Sequence, residues 1–350
     1  MSAQYAAISW NPKKRAYDLL LLGGILLYIA VFVGTTSALN ADATAETLII
    51  RALGTCAFLL LHIVLCIGPL CRLDARFIPL LYNRRHLGVT TFLLGLGHGV
   101  FSIIQFHAFG DRNPLVSLFT ANQRFDSVAQ FPFQLLGFAA LVILYVMAAT
   151  SHDFWLHNLG APAWKRIHML VYPAYVLLVA HVTLGALQSE RSPVLAALTL
   201  FGFASVVILH MVAAHKEARL DGAGTEKRDN FIFACKIEDI PEKRARIIPI
   251  GGERVAVFLY DGKVSAVSNV CRHQNGPLGE GKIIDGCITC PWHGYQYQPH
   301  NGRAPAPFKE KVETYEVQIR DGEVWVSACA NASGKEVHSA DASPARRESA

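Results

Sequence analysis

The sequence predicts an α-helical membrane bundle of six transmembrane helices followed by an all-β domain. Three observations carry this. Hydrophobic residues make up 52% of the 350 and charged residues only 17%, too apolar a balance for an ordinary soluble chain. Six stretches hold no charged residue: 19–38, 52–71, 87–108, 128–151, 167–189 and 192–215. At ~1.5 Å per residue each can cross a hydrocarbon core of ~30 Å. Buried core helices are the alternative; the length and number of these stretches argue against them. Beyond residue 230 the apolar period shortens to two, and runs at 254–260 and 263–268 flank Asp261-Gly262, a two-residue hairpin signal.

Taken in order, residues up to Tyr17 form a short lead. The first span follows Lys13, Lys14 and Arg15, like a signal peptide, but its apolar run exceeds the usual ~7–15 residues, so it is read as a membrane span. The membrane domain is expected over 1–220. Its longest outer loop, 111–130, holds Asn113-Pro114 and several aromatics. Residues 221–230 have linker composition, with glycines and charges and no apolar period. The β domain is expected over 231–328, with a second Asp-Gly hairpin at Asp321-Gly322. Residues 329–350 are rich in Ala, Ser, Glu and Arg, and a disordered tail is expected. No internal repeat is evident.

Lys and Arg gather on alternate connections: Lys13, Lys14 and Arg15; Arg72, Arg76, Arg84 and Arg85; Lys165 and Arg166; Lys216 and Arg219. The opposite side carries Arg51, Arg112, Arg124 and Arg191. By the positive-inside rule both termini and the β domain are expected on the cytoplasmic side of the inner (plasma) membrane. The net charge of +5 reflects this asymmetry, so no nucleic-acid partner is expected; the bilayer itself is. The eight Cys form no disulfide framework, and a cytoplasmic domain keeps its thiols reduced.

The β domain carries the sharpest chemistry. Cys271-Arg272-His273 is followed after sixteen residues by Cys290-Pro291-Trp292-His293-Gly294. Two thiolates and two imidazoles suit iron or zinc. Zinc fingers space their ligands more widely and pair Cys with Cys, so a Cys2His2 zinc site is the weaker alternative. The stretch resembles the Rieske motif, and the likeness extends over roughly 231–327. It implies a [2Fe-2S] cluster held by Cys271 and Cys290 on one iron and by His273 and His293 on the other. Respiratory-complex Rieske proteins carry an extra disulfide-forming Cys in each loop. Gly276 and Trp292 stand there instead, and Cys287 has no counterpart in the first loop. The domain therefore resembles the ferredoxin and oxygenase subtype. Tyr297 could donate a hydrogen bond to a cluster sulfur or only pack.

The spans carry His62, His98, His168 and His181, with His210 near the end of the last. Imidazole is costly in hydrocarbon without a partner, so an intramembrane His is a functional candidate; the plain alternative is a His bonded to a nearby carbonyl or hydroxyl. Haem iron takes axial His ligands. Counted from the cytoplasmic edge, His98 lies ~16 Å deep and His181 ~21 Å deep, close enough for one haem. His168 is ~20 Å from His181 along an ideal helix and ~140° away around it. Pro173 lies between them and could kink the span. Partners for His168 would be His62 or His210. His86, His152 and His157 read as surface residues of cytoplasmic loops, His107 lies at the outer end of the third span, and His300 follows the cluster motif but lies outside it.

Arg84-Arg85-His86-Leu87-Gly88 with His98, and Trp164-Lys165-Arg166-Ile167-His168-Met169-Leu170-Val171-Tyr172 with His181, resemble ferric reductase-like transmembrane domains. That family includes the haem-binding membrane subunit of the periplasmic methionine sulfoxide reductase system and, more distantly, NADPH oxidases. The likeness covers about 48–214 and implies b-type haem, one or two, with His98, His168 and His181 as ligands. His62 matches nothing in the family pattern and enters on depth alone.

No glycine-rich dinucleotide fingerprint or other nicotinamide- or flavin-binding pattern is present. The expectation is a membrane electron-transfer protein, either an oxidoreductase or a component of one. A cytoplasmic flavoprotein reductase would be the donor. A quinone or an outer-side protein would be the acceptor, unless quinol is the donor and the flow reversed. The alternative is a membrane-anchored Rieske ferredoxin without haem that supplies a separate oxygenase or reductase.

Overall fold

The computed structural model describes residues 12–74, 76–77, 80, 84–189, 193–221, 227–273, 276–291 and 294–342. The chain divides into two compact units, Met1–Ala213 and Ala214–Ala350.

The first unit is helical: α1 (Pro12–Leu39), α2 (Ala45–Leu73), α3 (Arg84–His107), α4 (Pro114–Thr120), α5 (Phe133–Ala149), α6 (Asp153–His168), α7 (Val171–Leu184), α8 (Ala186–Ser189) and α9 (Pro193–Asp221), which runs on into the second unit. Local chemistry sets several starts. The Thr44 side chain accepts from the Thr47 amide at the head of α2. Asn113 caps Leu115, with Pro114 in the first turn of α4. These are favoured N-terminal devices. Large apolar side chains such as Leu20, Leu39, Leu200 and Phe201 stay more than two-thirds exposed, which suits helices solvated by lipid rather than water.

Six spans were expected; among the described residues five helical runs are long and apolar enough to cross a membrane, and one further apolar helix is shorter. The fourth covers 17 residues of α5, about 26 Å of helix and the low end of what a bilayer needs; Pro132 precedes its first residue. The fifth run, Ala163–Gln188, is broken. Proline has no N–H and crowds the carbonyl four residues back. With Pro173 in the first turn of α7, Leu170 and Tyr172 instead donate to carbonyls three residues back, those of Ile167 and Met169. His168 therefore ends α6, and His181 belongs to α7. The expected fourth-to-fifth loop is helix α6, and the outer loop contains α4. In both, short helices satisfy backbone groups that a loop would leave to solvent.

The second unit is built of β1 (Lys227–Arg228), β2 (Phe231–Lys236), β3 (Arg244–Ile250), β4 (Glu253–Tyr260), β5 (Lys263–Ser268), β6 (Lys282–Ile284), β7 (Cys287–Thr289), β8 (Gln296–Tyr297), β9 (Thr314–Tyr315), β10 (Val317–Arg320), β11 (Glu323–Ser327) and β12 (Ala340–Asp341). They form sheets of order β1-β2-β11-β10, β12-β5-β4-β3 with β9 also on β5, and β6-β7-β8. The two expected Asp-Gly hairpins form, and a third turns at Asp285-Gly286; all six residues have positive φ, the conformation that two-residue hairpin turns of this type require.

Strand β4 explains the core. Val255, Val257 and Leu259 face one apolar cluster with Ile232, Val264 and Val324. Ala256, Phe258 and Tyr260 face another, with Val267, Leu278, Ile288, Tyr297 and both motif cysteines, Cys271 and Cys290. Side chains alternate across a strand, so one strand buried on both faces separates a structural core from a core that seats the cysteines.

Both flanks of the domain differ from expectation. Lys227 and Arg228 pair with β2, so the sheet begins inside the expected linker; residues 222–226 lie outside the described residues. The expected disordered tail is ordered through residue 342. Ala340 and Asp341 pair with Val264 and Lys263, and the Ser339 hydroxyl bonds those of Tyr260 and Ser265 at 2.9 and 2.7 Å. An unpaired edge of β5 offers ladder bonds that a polar composition does not forbid. Residues 343–350 lie outside the described residues.

Candidate functional site

The β domain presents two loops. The first leaves β5 through Asn269, whose side chain accepts from the Gly279 amide at 2.7 Å. It is closed by the Val270–Pro277 bridge and by the Cys271 amide donating to Gly276 O at 2.9 Å. In the second, the Cys290 amide donates to Tyr295 O at 2.8 Å and the Gly294 amide to Cys290 O at 3.0 Å. Gly294, at φ 70°, supplies a left-handed turn that a side chain would strain.

Cys271 and Cys290 are 1% and 2% exposed, while His273 is half-buried. Thiolates on the buried side and imidazole toward the rim is the arrangement that a cluster with one sheltered and one accessible iron needs. Three of the four expected ligands are described; His293 lies outside the described residues. The His273 ring stacks on Tyr295 at 4.8 Å and 7°, and the Tyr295 hydroxyl donates to Glu310. Tyr297, fully buried, accepts from the Arg272 amide at 3.0 Å and has its hydroxyl 3.5 Å from Cys271 Sγ. Burial pushes both phenols well above their ordinary range, with the Cys271 sulfur adding to the effect. Both therefore remain hydrogen-bond donors. Tyr297 thus packs in the core and also has its hydroxyl within hydrogen-bonding reach of the Cys271 sulfur.

In the bundle, His98 of α3 and His181 of α7 come together, ring centroids 6.2 Å apart and planes at 80°. With a metal–imidazole bond of about 2 Å and the nitrogen about 1.2 Å from its ring centre, two rings this close can both reach one metal ion. His98 Nδ1–H donates to Ile50 O at 2.9 Å, and His181 Nδ1–H to Phe133 O at 2.8 Å. Each bond fixes the tautomer that leaves Nε2 as the metal-binding nitrogen.

The other two candidates lie elsewhere. His168 stacks on Trp164 at 3.8 Å and donates from Nδ1 to Trp164 O at 3.0 Å. Its Nε2 is 3.4 Å from Ser151 Oγ, and the Arg85 guanidinium lies over the Trp164 ring, 5.6 Å from its centre. Among the described residues no ring contact or hydrogen bond joins His168 to His62 or His210. His210 meets the Tyr172 hydroxyl at 3.1 Å. His62, 4% exposed, donates from Nδ1 to Phe58 O of its own helix at 2.7 Å. Phe58 and Tyr175 pack edge-on to it at 4.4 and 5.4 Å, and its Nε2 has no hydrogen-bond partner. That nitrogen faces Gly202, where an added Cβ would lie 2.4 Å away. The depth estimate placed His62 near a second site; the tertiary packing closes its free nitrogen against α9. His107, expected at the outer end of the third span, is the last residue of α3; it is buried and ties that helix to the Ser117 hydroxyl and Gln134.

Sequence reasoning missed Gly54 and Gly137. The His98 and His181 rings lie on them so closely that an added Cβ would stand 2.7 Å from each Nδ1. It also missed the repeat they belong to. One constant step along the chain carries Ile50 to Phe133, Gly54 to Gly137 and His98 to His181. The Leu-Gly dipeptides at 53–54 and 136–137 are the trace it leaves.

Comparison with known proteins divides the chain the same way. Residues 230–316 match the family described as the Rieske [2Fe-2S] domain, and residues 53–179 match the ferric reductase like transmembrane component. The ferredoxin subunit of a 3-phenylpropionate/cinnamic acid dioxygenase from Photorhabdus laumondii is 31% identical over 98 residues, 27% of this chain and 92% of that protein. The protein-methionine-sulfoxide reductase heme-binding subunit MsrQ of Xanthomonas axonopodis pv. citri is 31% identical over 161 residues, 46% of this chain and 67% of that protein. Among solved structures, a Sphingomonas yanoikuyae B1 ferredoxin is 29% identical, covering 28% of this chain and 98% of that one, with a TM-score of 0.26. The chain thus belongs to the ferric reductase-like transmembrane proteins through its helical half and to the Rieske [2Fe-2S] proteins through its β half.

Proposed function

We propose that this membrane electron-transfer protein carries electrons between a cytoplasmic donor and an acceptor in or across the membrane. It does so through a Rieske [2Fe-2S] site in the β domain and a b-type haem seat in the bundle. The observation that carries the haem half is the His98–His181 pair at 6.2 Å, each ring oriented by a backbone carbonyl. The cluster and the haem, when bound, supply one-electron chemistry. Everything else falls to this chain's residues. Cys271 and Cys290, seated in an apolar core, would hold one iron. His273, half-buried, would hold the other together with His293. Tyr297 directs a proton at the Cys271 sulfur. His98 and His181 offer two Nε2 atoms among apolar helices that exclude water.

The Lys and Arg distribution supports termini and a β domain on the cytoplasmic side of the inner membrane, by the positive-inside rule. The donor is then a cytoplasmic flavoprotein reductase. The acceptor is a quinone or an outer-side protein. MsrQ is named as a heme-binding subunit of a methionine-sulfoxide reductase, and an acceptor protein of that kind fits this reading.

The test is a redox titration of the full-length protein in detergent, followed optically and by paramagnetic resonance. Cluster and haem signals in one preparation are expected, with loss of the haem bands in His98→Ala and His181→Ala. Iron-replete protein that contains no porphyrin would overturn the reading in favour of an anchored ferredoxin.

A further inference from the structure

We propose that each axial histidine is seated by a glycine–carbonyl saddle on a neighbouring helix, built twice in the bundle, and that Gly54 and Gly137 are positioning residues of the haem site. The inference rests on the haem reading above and deepens it.

In an α-helix a carbonyl bonds the amide four residues on, and residues at i and i+4 share one face. A ring from another helix can reach the carbonyl of residue i only by lying across the position i+4. Any side chain there blocks it. In α2 the carbonyl is that of Ile50 and the residue four on is Gly54; in α5 they are Phe133 and Gly137. His98 Nδ1 and His181 Nδ1 lie 2.9 and 2.8 Å from those oxygens. An added Cβ at Gly54 would be 2.7 Å from His98 Nδ1 and 3.0 Å from Cε1; at Gly137 it would be 2.7 and 2.8 Å from the same atoms of His181. In both cases the Nδ1 edge faces the glycine, and Nε2 is directed away from it.

The two saddles lie on different helix pairs, α2 with α3 and α5 with α7, yet carbonyl and histidine are 48 residues apart in both. His62 supplies the contrast. It too packs on a glycine, Gly202, but with Nε2 and Cδ2 nearest and with Nδ1 bonded within its own helix. A glycine contact alone does not make the seat; the contact must leave Nε2 free.

The physical consequence is specific. A carbonyl that accepts from Nδ1–H raises the basicity of the ligand nitrogen. A more basic ligand favours the ferric state and holds the haem potential down. A methyl group on either glycine pushes the ring off its carbonyl, weakens the haem's hold and raises the potential.

The experiment uses the full chain in detergent. Gly54→Ala and Gly137→Ala are compared with Gly88→Ala, a position in α3 where an added Cβ meets nothing within 4 Å. Haem content, low-spin paramagnetic-resonance signal and potential are read, with the cluster signal of the same sample reporting an intact β domain. Each saddle variant is expected to hold haem about 10–100-fold more weakly, the usual cost of losing such a partner. Retained haem should show a higher potential and a changed low-spin signal, and Gly88→Ala should match the native protein. Should a saddle variant fail to assemble, His98→Nδ1-methylhistidine keeps Nε2 and the glycine but cannot donate. Its haem is expected at a raised potential. Native haem content, signal and potential in both glycine variants, or a native potential with the methylated ring, would overturn the proposal. A wild-type protein without haem would instead remove the reading it rests on.

Discussion

Replacing Tyr297 with Phe removes the hydroxyl that lies beside the Cys271 sulfur. The ring is fully buried in the core that also contains Cys271 and Cys290, so the phenyl group keeps its packing. What disappears is a hydroxyl 3.5 Å from Cys271 Sγ that also accepts from the Arg272 amide at 3.0 Å. A donor aimed at a thiolate stabilises the more negative, reduced cluster more than the oxidised one. Hydrogen bonds to charged groups are worth about 1.5–3 kcal/mol. This one is long, and only the difference between two charge states counts, so about 1 kcal/mol is the reasonable scale. For a one-electron couple tenfold in equilibrium is 59 mV, which makes the expected fall about 40 mV. The assay is a titration of the cluster's paramagnetic-resonance signal in full-length wild type and Tyr297→Phe. An unchanged or higher potential in a variant of native stability would refute the donor role and leave Tyr297 as packing alone.

The remaining expectations concern the β domain. Truncation after Ala330 removes β12 and the Ser339 contacts, and should lower the domain's Tm by several degrees, equivalent to about 1–3 kcal/mol; an unchanged melting curve would return the segment to a passive tail. Burial opposes ionisation of Glu313, but Arg272 and the Ser333 hydroxyl hold its carboxyl below the ordinary range overall. A depressed folded-state pKa gives stability that is present above the unfolded value and lost as pH falls through the folded one. Glu313→Gln should therefore flatten the acid side of the stability–pH curve below about pH 4.5, measured by thermal melts. Burial pushes the Cys235 thiol up to about 11, whereas Cys329 is exposed. Iodoacetamide at pH 8 should alkylate Cys329 well before Cys235, read by peptide mass.

Much of the site was legible because its chemistry is local. A Cys-x-His and Cys-x-x-His pair at 271–273 and 290–293 states its donor set within two short loops. Asp-Gly steps at 261–262 and 321–322 announce hairpins, because few other dipeptides tolerate positive φ at both positions. The third hairpin at 285–286 escaped notice because its strands are only three residues each. Charge-free stretches announced the spans, but not their ends. Composition does not record that Pro173 would split the fifth run or that Pro132 stands just before α5. The histidines were visible as candidates without being sorted. His62 and His98 look alike as polar residues in apolar runs, and only one has its Nε2 clear of a neighbouring helix.

By itself, the sequence determined that this chain is a helical membrane bundle joined to a Rieske-type β domain, and that the candidate iron ligands of that domain lie between residues 271 and 293. Those properties depend on residue type and short-range spacing. The tertiary structure alone decided that His98 and His181 pair, that His62 is closed off, and that Gly54 and Gly137 lie beneath the paired rings. Each of those depends on which helix faces which. Helix-to-helix approach is set by small residues and packing between segments dozens of positions apart, a distance over which no single stretch of sequence carries the information.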